Sequence, residues 1–169
     1  MTVNALVSQL QLQPHPEGGF YRETWRSAQL VSVQRGNELV QRPAMTSIYF
    51  LLRTQDYSCL HRILSDELWH FVQGDPLTVH RIHPDGQVQH STLGAVAGLN
   101  HECVVTAGEW FGATVSPGEH GYALVSCVVA PGFDFQDFEM GEDDALLQQF
   151  PHAATLIHRL SRRVPAQAP

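Results

Sequence analysis

Cys59-Leu60-His61-Arg62-Ile63-Leu64-Ser65-Asp66-Glu67-Leu68-Trp69-His70-Phe71-Val72-Gln73-Gly74 is the stretch whose reading decides the fold. Its pattern predicts two short strands joined by a turn at Ser65-Asp66. On the first strand Cys59, His61 and Ile63 share a face. On the second, Glu67, Trp69 and Phe71 share one face, and Leu68, His70 and Val72 the other. Groups that can ligate or move a proton therefore stand among Leu, Ile, Trp and Phe. Mostly apolar walls with a few placed polar groups are what a ligand pocket needs.

The flanking sequence repeats the strand signal. Thr46–Arg53 reads as a strand, as do Leu77–His83, Val88–Leu93, Glu102–Thr106 and Glu109–Val115. Turn chemistry punctuates them at Pro84-Asp85-Gly86 and Ser116-Pro117-Gly118. Tyr122–Ala130 is almost wholly apolar, which predicts a strand covered on both faces, central in its sheet or at a subunit interface. Phe20–Trp25 is an aromatic-rich strand with Tyr21 and Glu23 on one face and Phe20, Arg22 and Thr24 on the other. It reads either as a half-exposed first strand or as a cover over the mouth of a pocket. Residues 28–43 read either as a hairpin turning at Arg35-Gly36-Asn37 or as a mobile loop. A leading helix is expected over Asn4–Leu12, capped at Asn4 and ended by Pro14 and Pro16. His15-Pro16-Glu17-Gly18-Gly19 reads as a turn-rich loop. Two short helices are expected over Asp143–Phe150 and Pro151–Leu160, with Val164–Pro169 a frayed end. Nine or ten strands with regular turn signals indicate an all-β sandwich or barrel with short flanking helices. No repeat or linker interrupts residues 1–169, so one domain is expected, its core spanning about residues 6–160.

Composition narrows the function. The chain has 169 residues, 43% of them hydrophobic, and a net charge of -7. An acidic chain lacks the basic face that neutralises nucleic-acid phosphates, so no nucleic-acid partner is expected. Arg159, Arg162 and Arg163 read as a solvated tail. Charged residues make up 16%, below the usual share of about 25%, which suggests surface covered by a partner subunit. No run reaches the roughly 18 apolar residues of a membrane span, and Met1–Leu12 lacks the pattern of an export signal. Three scattered cysteines without CxxC spacing argue against a cysteine-rich zinc site and for reduced thiols in the cytoplasm. Cys127, in the most apolar strand, reads as inert. His80, His83, His90, His101 and His120 read as ordinary surface residues.

The central stretch resembles the first motif of the cupin superfamily, Gly-x5-His-x-His-x3,4-Glu-x6-Gly. His61, Glu67 and Gly74 fall at the motif spacings, and Ile63 stands at the second His. The second motif is similar only in part: Thr106-x-Gly108-x2-Phe111 keeps the Gly, with Thr for Pro and Phe for His. The phrases His15–Thr24, Ser65–Phe71, Gly108–Ala113 and Val129–Phe133 are similar to the cupin-5 branch, over about Leu6–Leu160. The resemblance implies a double-stranded β-helix, the cupin jelly roll, commonly a homodimer. It implies no particular reaction.

Metal-dependent cupins use two His and a Glu from the first motif and a His from the second. Here His61 and Glu67 alone remain as candidate metal ligands, too few for a tight divalent site, and Phe111 fills the space of the fourth. His70 reaches Glu67 only if a bulge intervenes. No cofactor is therefore assigned. Proton transfer is better supported, since metal-free sugar-nucleotide epimerases of the superfamily use a His of this region. That similarity implies a cavity for a small polar ligand, a sugar or nucleotide derivative, with His61 as base, Glu67 orienting it and Tyr21 as the opposing acid. A His61–Glu67 pair that only satisfies two buried groups is the competing reading. Glu23, Thr24, Trp69, His70, Trp110 and Phe111 are the candidate ligand contacts, with packing the alternative for both tryptophans. A non-catalytic sensor and a metal-dependent oxygenase are the alternative functions.

Overall fold

A computed structural model describes residues 2–161. The readings of Arg162, Arg163 and Val164–Pro169 fall outside the described residues. In chain order the elements are α1 (Val3–Gln9), β1 (Gln13–Pro14), β2 (Phe20–Arg26), β3 (Leu30–Arg35), β4 (Glu38–Pro43), β5 (Thr46–Arg53) and β6 (Tyr57–Ile63). There follow β7 (Asp66–Gly74), β8 (Leu77–Ile82), β9 (Val88–Leu93), β10 (Glu102–Val105), β11 (Trp110–Val115), β12 (Tyr122–Ala130) and β13 (Phe138–Met140). Helices α2 (Asp143–Gln149) and α3 (Ala154–Leu160) close the series.

Two antiparallel sheets face each other. One has the order β1-β2-β5-β12-β7-β10 and the other β13-β6-β11-β8-β9, with β3-β4 as a separate hairpin. The quoted stretch is therefore not a hairpin. β6 and β7 lie in different sheets, and Leu64-Ser65 carries the chain across the gap between them. Inward side chains of both sheets, among them Phe50, Leu52, Ile63, Trp69, Phe71, Val79, Phe111 and Val125, form the central core.

β12 is buried on both faces because β5 and β7 flank it and α1 covers its outer side. Leu124 packs with Leu6, Leu12 and Leu51 under that helix, while Val125 and Cys127 face the core. Helices α2 and α3 cover the outside of the second sheet through Leu146, Phe150, Ile157 and Leu160 against Leu60, Ile82 and Trp110. Arg159 is exposed on α3.

Several local expectations change. Thr2, not Asn4, caps α1, accepting from Ala5 N at 3.3 Å. The helix stops at Gln9 ahead of both prolines, where Gln11 turns to φ 54°. Of the two readings of residues 28–43, the hairpin is the one observed. Its Arg42 forms a bidentate pair with Asp137 at 2.9 and 2.8 Å, and Arg35 adds a contact of 3.1 Å. Asp137 is thereby fixed, together with the Phe133–Phe138 segment that carries it. His80 is not a surface histidine: it is buried, with ring nitrogens 2.9 Å from His90 Nδ1 and 2.9 Å from Thr114 Oγ1. Burial, with the nearby His90 and Arg159, holds its pKa down at about 4. No helix among the described residues is long and apolar enough to cross a membrane.

Gly74 ends β7 at φ +108°, where a Cβ would stand 2.2 Å from Tyr122 O. Both the left-handed backbone and the neighbouring carbonyl demand glycine. Gly74→Ala is expected to cost about 2–4 kcal/mol in denaturant unfolding. A loss below about 0.5 kcal/mol, the range of neutral surface changes, would contradict this packing.

Candidate functional site

Between the sheets lies a cavity of about 490 Å³, within the range of small-molecule sites. β2, β5, β6, β7 and β12 contribute its walls, and the Phe133–Phe138 segment its rim. His61 and Glu67 both line it and both are buried, 3% and 7% exposed. The rim is open, with Phe135 53% exposed.

The carboxylate that holds His61 is Glu17, a residue the sequence reading left in a loop. Glu17 Oε2 lies 2.9 Å from His61 Nε2, and Ser58 Oγ donates to Glu17 Oε1 at 2.9 Å. Glu17 reaches this position because its loop docks on the start of β6. Cys59 N donates to Glu17 O at 2.7 Å, and Gly18, at φ +110°, brings the loop backbone so close that a Cβ would meet Tyr57 O at 2.4 Å. Two glycines directly after His15-Pro16-Glu17 were the available signal of close backbone approach.

The hydrogen bonds assign the protons. His61 Nδ1 lies 2.7 Å from Cys59 O. A carbonyl only accepts, so Nδ1 carries hydrogen. Nε2 faces a carboxylate, so this contact also holds a proton. Burial opposes charge on both partners, but the charge of each and their hydrogen bond outweigh it. The His61 pKa is raised and that of Glu17 lowered, which makes the pair an imidazolium and a carboxylate. Phe111 and Phe138 enclose the imidazolium ring at centroid distances of 4.1 and 5.4 Å. His15 is different. Its Nδ1 accepts from Glu17 N at 3.2 Å, and burial chiefly lowers its pKa, so the ring is neutral.

Glu67 is therefore not the group that orients His61. It projects from the opposite sheet, flanked by Trp69 and Cys127. Burial first, and the Glu17 charge second, raise its pKa to about 7, with His61 opposing. Burial likewise pushes the Cys127 thiol well above its usual range.

The other candidates divide. Tyr21, Glu23 and Trp69 line the cavity. Thr24 points away, its hydroxyl donating to Ser47 O at 3.1 Å. His70 lies on the outer face of β7, 3.6 Å from Glu102. The register shift of β7 falls between Phe71 and Gln73, past Glu67 and His70, so no bulge brings these two together. Trp110 packs under α2 and α3 with Arg62 over its ring. Phe111 stands behind His61, directly opposite it in the β6–β11 register. His15, Glu17, Arg26, Asp134 and Phe138 are lining residues that sequence reasoning did not select.

This donor set does not fit a metal. Both ring nitrogens of His61 are engaged by protein oxygens, Phe111 offers no donor, and His70 faces outward. Among the described residues no three His, Cys, Asp or Glu side chains are grouped to hold an ion.

Two facing sheets around a buried histidine and carboxylates define a protein of the double-stranded β-helix class. The chain belongs to the cupin-5 family of the cupin superfamily (DUF985), matched over residues 4–141. It is 33% identical over 162 residues to the uncharacterised protein YML079W of Saccharomyces cerevisiae, covering 85% of this chain and 78% of that one. It is also similar to the solved structure of a hypothetical protein from Leishmania major, with 37% identity and TM-score 0.90 over 96% of this chain and 100% of that one. A second solved structure, protein SO0799 from Shewanella oneidensis, has 36% identity and TM-score 0.83 over 96% and 98%.

The raised pKa of Glu67 has a direct consequence for stability. An acid whose folded pKa lies above its unfolded value loses stability as pH rises from about 4.5 to 7, and the loss levels off above that. The full cost is at most ~3 kcal/mol. Glu67→Gln mimics the protonated form, so it should be more stable than the parent by up to that amount at pH 8 and nearly equal at pH 4.5. Denaturant unfolding at both pH values checks this, and an equal or opposite difference at the two would contradict it.

Proposed function

We propose that the protein binds a small polar molecule in the intersheet cavity and moves a proton on it, as a metal-independent isomerase or epimerase does. One observation carries the reading. A single cavity holds His61, paired as the acid form, and Glu67, which titrates near neutral pH. Environments that push titratable groups apart in this way mark acid and base roles. The sequence suggested His61 as base; the proton it shares with Glu17 supports the opposite assignment. Glu67 as carboxylate takes a proton from carbon beside a carbonyl, while the His61 Nε2 proton leaves its hydrogen bond to Glu17 Oε2 and passes to the carbonyl oxygen. The enol then returns its O–H proton to His61 as Glu67 reprotonates carbon. Glu17 positions the imidazole and balances its charge, and Tyr21 sits on the cavity wall.

A binding-only module is the second reading. One observation favours it: both His61 nitrogens are already satisfied within the protein, as in a pair that serves stability alone. We further propose a cytoplasmic homodimer. The odd cysteine count supports that compartment. The exposed Trp25, Leu30 and Leu39 on β2 and the β3–β4 hairpin support a covered surface.

Incubation in deuterated water with aldoses, ketoses and amino ketones separates the two functional readings. Proton transfer predicts loss of the hydrogen signal beside the carbonyl of at least one compound. It also predicts rates about 100-fold or more lower in His61→Gln and in Glu67→Gln. Saturable binding without exchange across the panel would establish the binding-only module instead.

A further inference from the structure

The charges around the cavity say which ligands it can hold. Four carboxylates line it, Glu17, Glu23, Glu67 and Asp134, against two cations, Arg26 and the His61 imidazolium. Both cations are already paired. His61 is bound to Glu17 at 2.9 Å. Arg26 is held by both oxygens of Glu23, at 3.0 and 2.7 Å, and its third nitrogen donates to Phe133 O at 3.2 Å. Glu67 stands in the opposite condition. It is buried in the cavity wall, and no Lys, Arg or His among the described residues forms an ion pair with it. Phe50, Trp69 and Phe138 line the same cavity. A carboxylate with no direct ion-pair partner, set among aromatic rings, is complementary to a cation, through both the charge-assisted hydrogen bond and the attraction of aromatic faces for positive charge.

We propose that the cavity accepts a small organic ammonium compound, an amine on a compact apolar or carbonyl-bearing body, with its N–H donors on Glu67. The same arrangement disfavours ligands that enter as phosphates, diphosphates or carboxylates. Such an anion would meet Glu67, Glu23 and Asp134, with both lining cations already paired. Nucleotide-linked sugars, which the superfamily resemblance suggested, are thus disfavoured, and amino-substituted small molecules take their place. The inference rests on the cavity being a ligand site, and it does not require turnover.

Three matched probes test it: phenethylamine, 2-phenylethanol and 3-phenylpropionate, titrated at pH 8 with ligand-observed NMR. The ammonium probe is expected to bind about ten-fold or more tightly than the alcohol, and the carboxylate more weakly than the alcohol. In Glu67→Gln the preference for the amine should collapse to about two-fold or less, with alcohol binding retained. Glu67→Asp, which keeps the charge but withdraws it by one methylene, should leave an intermediate preference and serves if the first variant does not fold. Equal or tighter binding of the carboxylate, an unchanged preference in the Glu67 variants, or no binding of any probe would overturn the proposal. Amine binding without any proton exchange would leave this inference standing and remove the catalytic reading. Exchange on neutral ketoses without amine preference would do the reverse.

Discussion

One shared proton organises this molecule: the proton between Glu17 and the Nε2 of His61, both buried in the wall of the intersheet cavity. A buried charge is tolerated only where it is paired and hydrogen-bonded, and here each partner meets that requirement through a different segment. His61 is fixed through its second nitrogen to the carbonyl of Cys59 on its own strand. Glu17 is fixed by Ser58 Oγ and by a backbone bond from Cys59 N. The loop ahead of β2 and strand β6 are thereby joined at three points, and the pair lines the cavity between the sheets.

The same constraint explains the behaviour of Glu67. Buried, and facing the Glu17 charge, the second carboxyl group holds its proton to about pH 7, with the imidazolium opposing that shift only in part. Two carboxylates and one imidazole in one cavity thus carry different protonation preferences at neutral pH. Where a metal cupin would present several free donors, this chain places Ile63 and Phe111 beside a histidine whose lone pairs are already committed. The hairpin charges do related work at the rim, where Arg42 and Arg35 on Asp137 hold the segment that carries Phe133, Phe135 and Phe138.

Much of the fold was legible because its signals are local. Thr46–Arg53, Val88–Leu93 and Tyr122–Ala130 form strands with the boundaries the sequence suggests, since alternation and apolar runs depend on neighbours alone. The same alternation placed Glu67 and His70 on opposite faces of their strand, although His70 remained a ligand candidate. The division of β6 and β7 between two sheets was not legible, because strand periodicity does not say which strand pairs with which. Glu17 escaped notice for a similar reason. It lies far from His61 in sequence, in a loop without periodicity, and only docking onto β6 makes it a partner. Phe138 was hidden in a run of alternating aromatic and acidic residues. His80 was misread because its burial comes from tertiary packing, through contacts with His90 and Thr114 that strand periodicity does not reveal.

The central claim, that His61 rests as an imidazolium held by Glu17, is tested most directly by nitrogen-15 NMR of the histidine side chains across a pH series. The account predicts that both His61 nitrogens carry hydrogen at pH 7, and that Nε2 loses its hydrogen at that pH when Glu17 is replaced by Gln. A wild-type His61 with an unprotonated Nε2 at neutral pH, unaffected by the Glu17 substitution, would contradict it.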